Sequence, residues 1–265
     1  MSPFDLDQGK ISVRVAENVY LQLLADIEDF EFKKSDGKLN ANAFYNKLLP
    51  NLILYRARKR RDLRNFLEKN FKYCTKDGFQ DKLFNSLDDL FDSVYFDDYR
   101  EYYHRQRVHF RLRKSNIISL QKVFDELEEH NTNKTSYIRN LFNEYAYMKK
   151  DKREQLCFQQ EYILLNKAIS NGNMITCICN GEKLSLLPYR LELNYMDDSL
   201  NLFSVDMDKK GVCRVLRLCS IRNIYVRETE NYVINDELLR KIDYIVDELD
   251  YTEKRIYNLN RIKIK

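Results

Sequence analysis

Arginines at alternate positions are the residues of this chain best suited to gripping a partner. Arg107 to Arg113 reads R-V-H-F-R-L-R, which puts Val108, Phe110 and Leu112 on one face of an extended strand and His109, Arg111 and Arg113 on the other. Lys10 to Val15 reads K-I-S-V-R-V, with Ile11, Val13 and Val15 on one face and Ser12 and Arg14 on the other. A guanidinium is always charged and presents a fixed fork of donors, so such rows suit phosphate oxygens or guanine edges. A third group, Arg56, Arg58, Lys59, Arg60, Arg61 and Arg64, concentrates basic side chains on one helical stretch, enough to neutralise several phosphates. Each set also has a plainer reading as a solvated surface, and the sequence leaves both open.

Other chemistry has no visible apparatus. The three histidines, His104, His109 and His130, do not stand beside a Ser or Cys in a turn suited to a nucleophile. Asn180-Gly181 and Asp36-Gly37 are ordinary turn dipeptides, and no glycine-rich phosphate loop exists. Six cysteines form no Cys-x-x-Cys pair and have no histidine at metal spacing; Cys177 and Cys179 point to one face of a strand. Asp88, Asp89 and Asp92 line one side of a helical stretch without the turn or glycine that would wrap them around an ion. The expectation is binding and not catalysis, with no cofactor and no metal.

The remaining composition bounds the setting. With 45 basic and 41 acidic residues the net charge is only +4, so affinity for nucleic acid must come from local clusters. Six Gly and three Pro in 265 residues argue for helices and short turns, and the length allows two small domains. Reduced cysteines, an N-terminus without a signal-like pattern and no apolar stretch near the roughly 18 residues of a membrane helix suggest a cytoplasmic protein.

The two alternating strands belong to a repeat. Ile11 and Val108 are 97 positions apart (108 less 11), and so are Arg14 and Arg111, Tyr20 and Ile117, Leu23 and Leu120, Ile27 and Phe124, Phe44 and Leu141, and Tyr45 and Phe142. Each copy, about 10–54 and 107–150, reads strand, helix, polar break, helix, with Pro50 expected to kink or end the second helix of the first copy. A helical insert fills 55–103. This order resembles the ribbon-helix-helix fold, in which two copies pair their strands into a ribbon that lies in a nucleic-acid groove. The resemblance implies that Ser12, Arg14, His109, Arg111 and Arg113 face the ligand and that free amides at Thr135 and Ser136 meet a flanking phosphate.

Beyond a connecting helix at 151–173, with Leu156, Ile163 and Leu164 facing inward, Met174 to Glu228 holds four or five short alternating runs separated by Asn-Gly-Glu, Asp-Asp-Ser and Lys-Lys-Gly, the pattern of consecutive antiparallel strands. Leu-Pro-Tyr-Arg-Leu (Leu187 to Leu191), the strand Leu200 to Asp206, then Arg214, Arg217-Leu218 and Ile221-x-x-Ile224 resemble the WYL domain, an Sm- or SH3-like barrel. The Trp-Tyr-Leu of that family falls on Leu200, Asn201 and Leu202, and one family arginine is replaced by Ser220. The resemblance implies a pocket in which Tyr189 stacks on a base, Arg214 and Arg217 hold phosphates and Arg190 lies beside them. In the plainer reading Tyr189 is a core aromatic and Arg190 pairs with Glu192 or Glu182.

From Asn235 to Leu259, Leu238, Ile242, Ile245, Leu249, Thr252, Ile256 and Leu259 form a heptad seam within the C-terminal segment 229–265, suited to packing on the barrel or to joining two chains as a homodimer. The expected architecture is thus α+β: a helix-rich tandem ribbon-helix-helix, a small WYL barrel and a C-terminal helix. This layout resembles the WYL accessory proteins of type VI-D CRISPR systems, which implies binding of single-stranded RNA and modulation of an RNA-guided nuclease effector. A transcriptional regulator on operator DNA and a protein-interaction adaptor are the alternatives.

Overall fold

The computed structural model describes residues 4–5, 9–71, 81–87, 105–129, 133–209, 212–231, 236–248 and 256–258 of a mixed α+β chain. Two compact units, Met1–Met148 and Lys149–Lys265, divide it.

In the first unit, strands β1 (Phe4–Asp5), β2 (Lys10–Ala16) and β3 (Arg105–Arg111) form an antiparallel sheet in the order β1-β2-β3. Helices α1 (Glu17–Asp29) and α2 (Ala41–Asn70) follow β2, and α3 (Lys114–Glu129) and α4 (Lys134–Ala146) follow β3. The alternation works as the sequence dictates: Ile11, Val13, Val15, Val108, Phe110 and Leu112 are buried, and the positions between them face away. The helices close over that apolar face with Leu23, Ile27, Phe44, Leu48, Leu120, Phe124, Leu141 and Phe142. Tyr45 stacks on Phe110 at 4.8 Å between ring centres. Fully buried Asp26 accepts from the Tyr145 hydroxyl at 2.7 Å and from Gln22 Nε2 at 3.0 Å.

The expected break at Pro50 does not occur, because α2 runs unbroken through it to Asn70. Proline lacks the N–H that would bond the carbonyl of Asn46 four residues earlier. Asn116 of α3 supplies the replacement, its Nδ2 donating to Asn46 O at 2.7 Å. The basic stretch is therefore a continuation of α2 and not a separate insert element. Of the rest of the insert, a helical segment at 81–87 is described, with Phe84 buried; Asp88, Asp89 and Asp92 lie outside the described residues.

The second unit is a six-stranded antiparallel sheet in the order β8-β4-β5-β6-β7-β9, built from β4 (Asn173–Cys179), β5 (Glu182–Asn194), β6 (Ser199–Asp206), β7 (Val212–Arg217), β8 (Ile221–Asn231) and β9 (Ile256–Asn258). Asn180 and Gly181, at φ of 51° and 81°, form the two-residue turn between β4 and β5. Two helices, α5 (Lys150–Cys157) and α6 (Gln159–Asn171), replace the single connecting helix expected there. Leu156 is buried as expected, but Leu165 and Ala168 are the buried positions of α6, and Ile163 is exposed. Buried Glu154 of α5 accepts from the backbone N–H of Leu200 at 2.7 Å and of Cys219 at 3.1 Å, tying that helix to β6 and to the 3-10 turn Leu218–Ser220.

Helix α7 (Asp236–Glu248) covers one face of the sheet, where fully buried Ile242 joins Met174, Leu187, Phe203, Val205, Cys213 and Val215, with Leu238 packed alongside. The seam does not continue as one helix: Ile256 lies in β9, paired with Arg214. Alternation at Ile256-Tyr257-Asn258 satisfies strand as well as heptad, and the free edge of β7 decides between them.

Candidate nucleic-acid interface

The ribbon is centred on a pair of equivalent residues. In the β2–β3 register Ser12 faces His109, and 109 less 12 is the repeat interval of 97, so the two copies are related by a local twofold through this pair. Lys10 then faces Arg111, and Arg14 faces Arg107. Arg14, Arg107, His109, Arg111 and Arg113 are exposed, and Lys10 and Ser12 are half-buried. Within β2 and β3 this outward row contains no carboxylate, and Arg14 stands directly across from another arginine, a placement that costs free energy unless an anion lies over it. Lys10 and Arg107, which the sequence reading overlooked, complete the row; the 97-residue interval that relates them was the available signal.

Each strand is held by the second helix of the other copy. Asn42 Oδ1 of α2 accepts from Arg111 N at 2.7 Å, Asn46 Nδ2 donates to Arg111 O at 2.7 Å, and Asn46 Oδ1 accepts from Arg113 N at 2.7 Å. On the opposite side Arg139 Nε of α4 donates to Arg14 O at 2.9 Å. Because Arg14 and Arg111 are repeat equivalents, these clamps fix corresponding backbone points, and the exposed guanidiniums stand on rigid anchors.

The amides of Thr135 and Ser136 are already used: Asn133 Oδ1 accepts from them at 2.8 and 3.1 Å, so the helix is capped by its own side chain where a phosphate was expected. The basic stretch of α2 also divides. Buried Arg56 lies over Tyr137 with its guanidinium 5.3 Å from the ring centre, Lys59 pairs with Glu144 at 2.6 Å, and Arg60 and Arg64 lie 5.9 and 4.7 Å over Phe84. Arg58 and Arg61 are exposed.

In the second unit the expected pocket residues Tyr189, Arg190 and Arg214 have partners within the fold. Arg214 is 4% exposed; its Nε donates to Asp206 Oδ2 at 2.6 Å, and its Nη atoms reach Glu182 at 3.4 Å. Burial alone would lower its pKa, but Asp206 and Glu182 outweigh that and raise it, so the charge is permanent and spent within the fold. Tyr189 is the extra residue of a β-bulge, since Pro188 pairs with Ser204 and Arg190 with the next residue back, Phe203. The bulge turns the Tyr189 hydroxyl to Asp243 of α7, 3.1 Å away, and burial followed by that bond and that charge pushes its pKa up. Arg190 pairs with Glu192 and lies 4.0 Å from Asp243. Half-buried Arg217 lies close enough to Glu154 for its charge to act on that carboxyl, whose pKa burial nonetheless raises. Ser220, in the place of a family arginine, donates from Oγ to Arg217 O at 2.8 Å.

No family model matches the chain, and no curated protein matches its sequence. The solved structures give a likeness of fold. The chain is similar to a protein described as "Crystal structure of a CRISPR Cas-related protein". The superposition has a TM-score of 0.61 at 13% identity and covers 90% of this chain and 71% of that one. At that identity the architecture is shared, while the ribbon residues have to be argued from their own geometry.

The five described cysteines are buried thiols, and burial pushes the Cys177 and Cys213 thiols up to about 12, which keeps both protonated at neutral pH. Among the described residues no cluster of His, Cys, Asp or Glu could hold a metal ion, and no helix is long and apolar enough to cross a membrane.

Proposed function

We propose that the chain is a non-enzymatic, CRISPR-associated nucleic-acid-binding regulator that grips its ligand with the ribbon face of the first unit. The observation that carries the reading is the outward row of Lys10, Arg14, Arg107, Arg111 and His109, exposed or half-buried, free of carboxylates within its two strands and centred on a local twofold. The tandem ribbon-helix-helix assignment belongs to the same reading. It is supported by two strand-helix-helix copies whose strands pair about equivalent residues and whose second helices clamp each other's strands.

The WYL assignment rests on the sequence pattern together with the small antiparallel sheet that carries it. Single-stranded RNA as a ligand and an RNA-guided nuclease effector as a partner follow from that resemblance, and the likeness to a CRISPR Cas-related protein favours them. Self-association of two chains is part of this reading, although Ile242, the best-placed seam residue, packs against its own sheet.

Titrating the chain with single-stranded RNA and with duplex DNA across a salt series tests the proposal. Affinity that falls steeply and linearly in log salt is expected. Absence of binding to either at low salt would refute it and leave a protein-interaction adaptor.

A further inference from the structure

The two halves of the ribbon agree where they are buried and disagree where they face out. Underneath, the repeat pairs Ile11 with Val108, Val13 with Phe110 and Val15 with Leu112, apolar in every case and buried in every case. The clamps at Arg14 O and Arg111 O also correspond. On the outward face the same interval pairs Lys10 with Arg107, Ser12 with His109 and Ala16 with Arg113, and only Arg14 with Arg111 is an identity. Geometry has kept the local twofold while chemistry has lost it.

A ribbon made by two separate but identical chains must display the same residues twice, and the site it reads mirrors that symmetry. Joining the copies in one chain removes the constraint. We infer that this ribbon reads a non-palindromic site in B-form DNA, and that the unlike pairs Ser12/His109 and Lys10/Arg107 fix the orientation in which it is bound. The inference rests on the proposed nucleic-acid-binding role of the ribbon.

A major groove about 12 Å wide admits a two-stranded ribbon, whereas the deep, narrow major groove of A-form RNA does not. Residues 12 and 109 face each other at the twofold, so both lie over the centre of a site, where a hydroxyl and an imidazole offer donors and acceptors of different reach. One end of the row carries Lys10 and Arg111, with Arg113 just beyond; the other carries Arg14 and Arg107. An arginine fork takes two acceptors of one guanine, while a lysine ammonium acts as a point charge, so the two ends distinguish base pairs differently.

Selection of bound duplexes from a random-sequence pool by the full chain tests this. An asymmetric consensus, bound in one orientation, is expected. The triple substitution Lys10→Arg, Ser12→His and Ala16→Arg gives both strands the row Arg, His, Arg, Arg; it should move selection to a palindrome and invert the preference between the two sites by about tenfold or more, the scale of one good base contact. The reciprocal set Arg107→Lys, His109→Ser and Arg113→Ala, all on outward positions, should select a different palindrome. A palindromic consensus for the unaltered chain, or selection that neither set of substitutions changes, overturns the inference. Failure to retain any duplex while single-stranded RNA is bound also overturns it but leaves the proposed function standing; failure to bind either nucleic acid overturns both.

Discussion

Arg14 and Arg214 carry the same guanidinium in opposite circumstances. Arg14 stands exposed on β2, facing Arg107, with its backbone held by Arg139 and no carboxylate in the row beside it. Arg214 is 4% exposed on β7 and locked to Asp206 at 2.6 Å. Removing a charge from water costs several kcal/mol, so a buried arginine must find carboxylates of its own chain, whereas an exposed one can wait for a ligand. A basic residue in a family pattern thus becomes a site only if burial has not already engaged it. The ribbon passes that criterion at most positions, and the sheet of the second unit fails it at Arg214.

The contrast is sharpest in stability. Arg214→Ala leaves buried Asp206 without its counter-charge, holding only the backbone N–H groups of Asp208 and Lys209, and urea unfolding should show a loss of about 3–5 kcal/mol, whereas Arg14→Ala should stay within about 0.5 kcal/mol. Equal effects would mean that the two arginines do not differ in the way described. Asn46→Ala comes next. It leaves the carbonyl of Asn46 in place and removes the partners of the Arg111 carbonyl and the Arg113 N–H, so a loss of about 1–3 kcal/mol is expected, accompanied by weaker nucleic-acid binding because the anchors of two ribbon arginines loosen. A stability loss with unchanged affinity would separate the clamp from the interface.

Glu154 offers a pH test confined to the second unit. Burial raises its folded pKa above the ordinary carboxylate value, so the folded state holds its proton where the unfolded state has released it. Its contribution to stability is therefore fully present below the unfolded value of about 4.5 and declines as pH rises through the folded one. Glu154→Gln should flatten stability against pH over that interval, as followed by thermal unfolding between acidic and neutral pH, and an unaltered profile would exclude the assignment. Arg190→Ala, which removes an ion pair at a half-exposed position, should cost no more than about 1 kcal/mol and leave binding nearly unchanged.

Much of the ribbon was legible because strand alternation and a fixed repeat interval are local signals. Ile11, Val13 and Val15 against Val108, Phe110 and Leu112 mark both strands and their buried face by alternation alone. What escaped depends on how separate elements are paired. The continuity of α2 through Pro50 needs Asn116, 66 positions on (116 less 50), to satisfy one carbonyl. The loss of Arg214 from the pocket depends on Asp206 and Glu182 from other strands of the sheet, and the redirection of Tyr189 depends on a bulge set by Pro188. Thr135 and Ser136 were misread for a local reason: Asn133, a strong capping residue immediately ahead of them, was visible in the sequence.

The most direct measurement places two variants of the full chain in the same binding titration, at low and at physiological salt. One carries Arg14→Ala, Arg107→Ala and Arg111→Ala on the ribbon; the other carries Arg190→Ala and Arg217→Ala on the second unit. The ribbon variant should lose at least tenfold in affinity and reduce the slope of log affinity against log salt by about 2–3, while the second retains both. Loss of binding in the second variant with the ribbon variant unaffected would contradict the assignment of the interface to the ribbon.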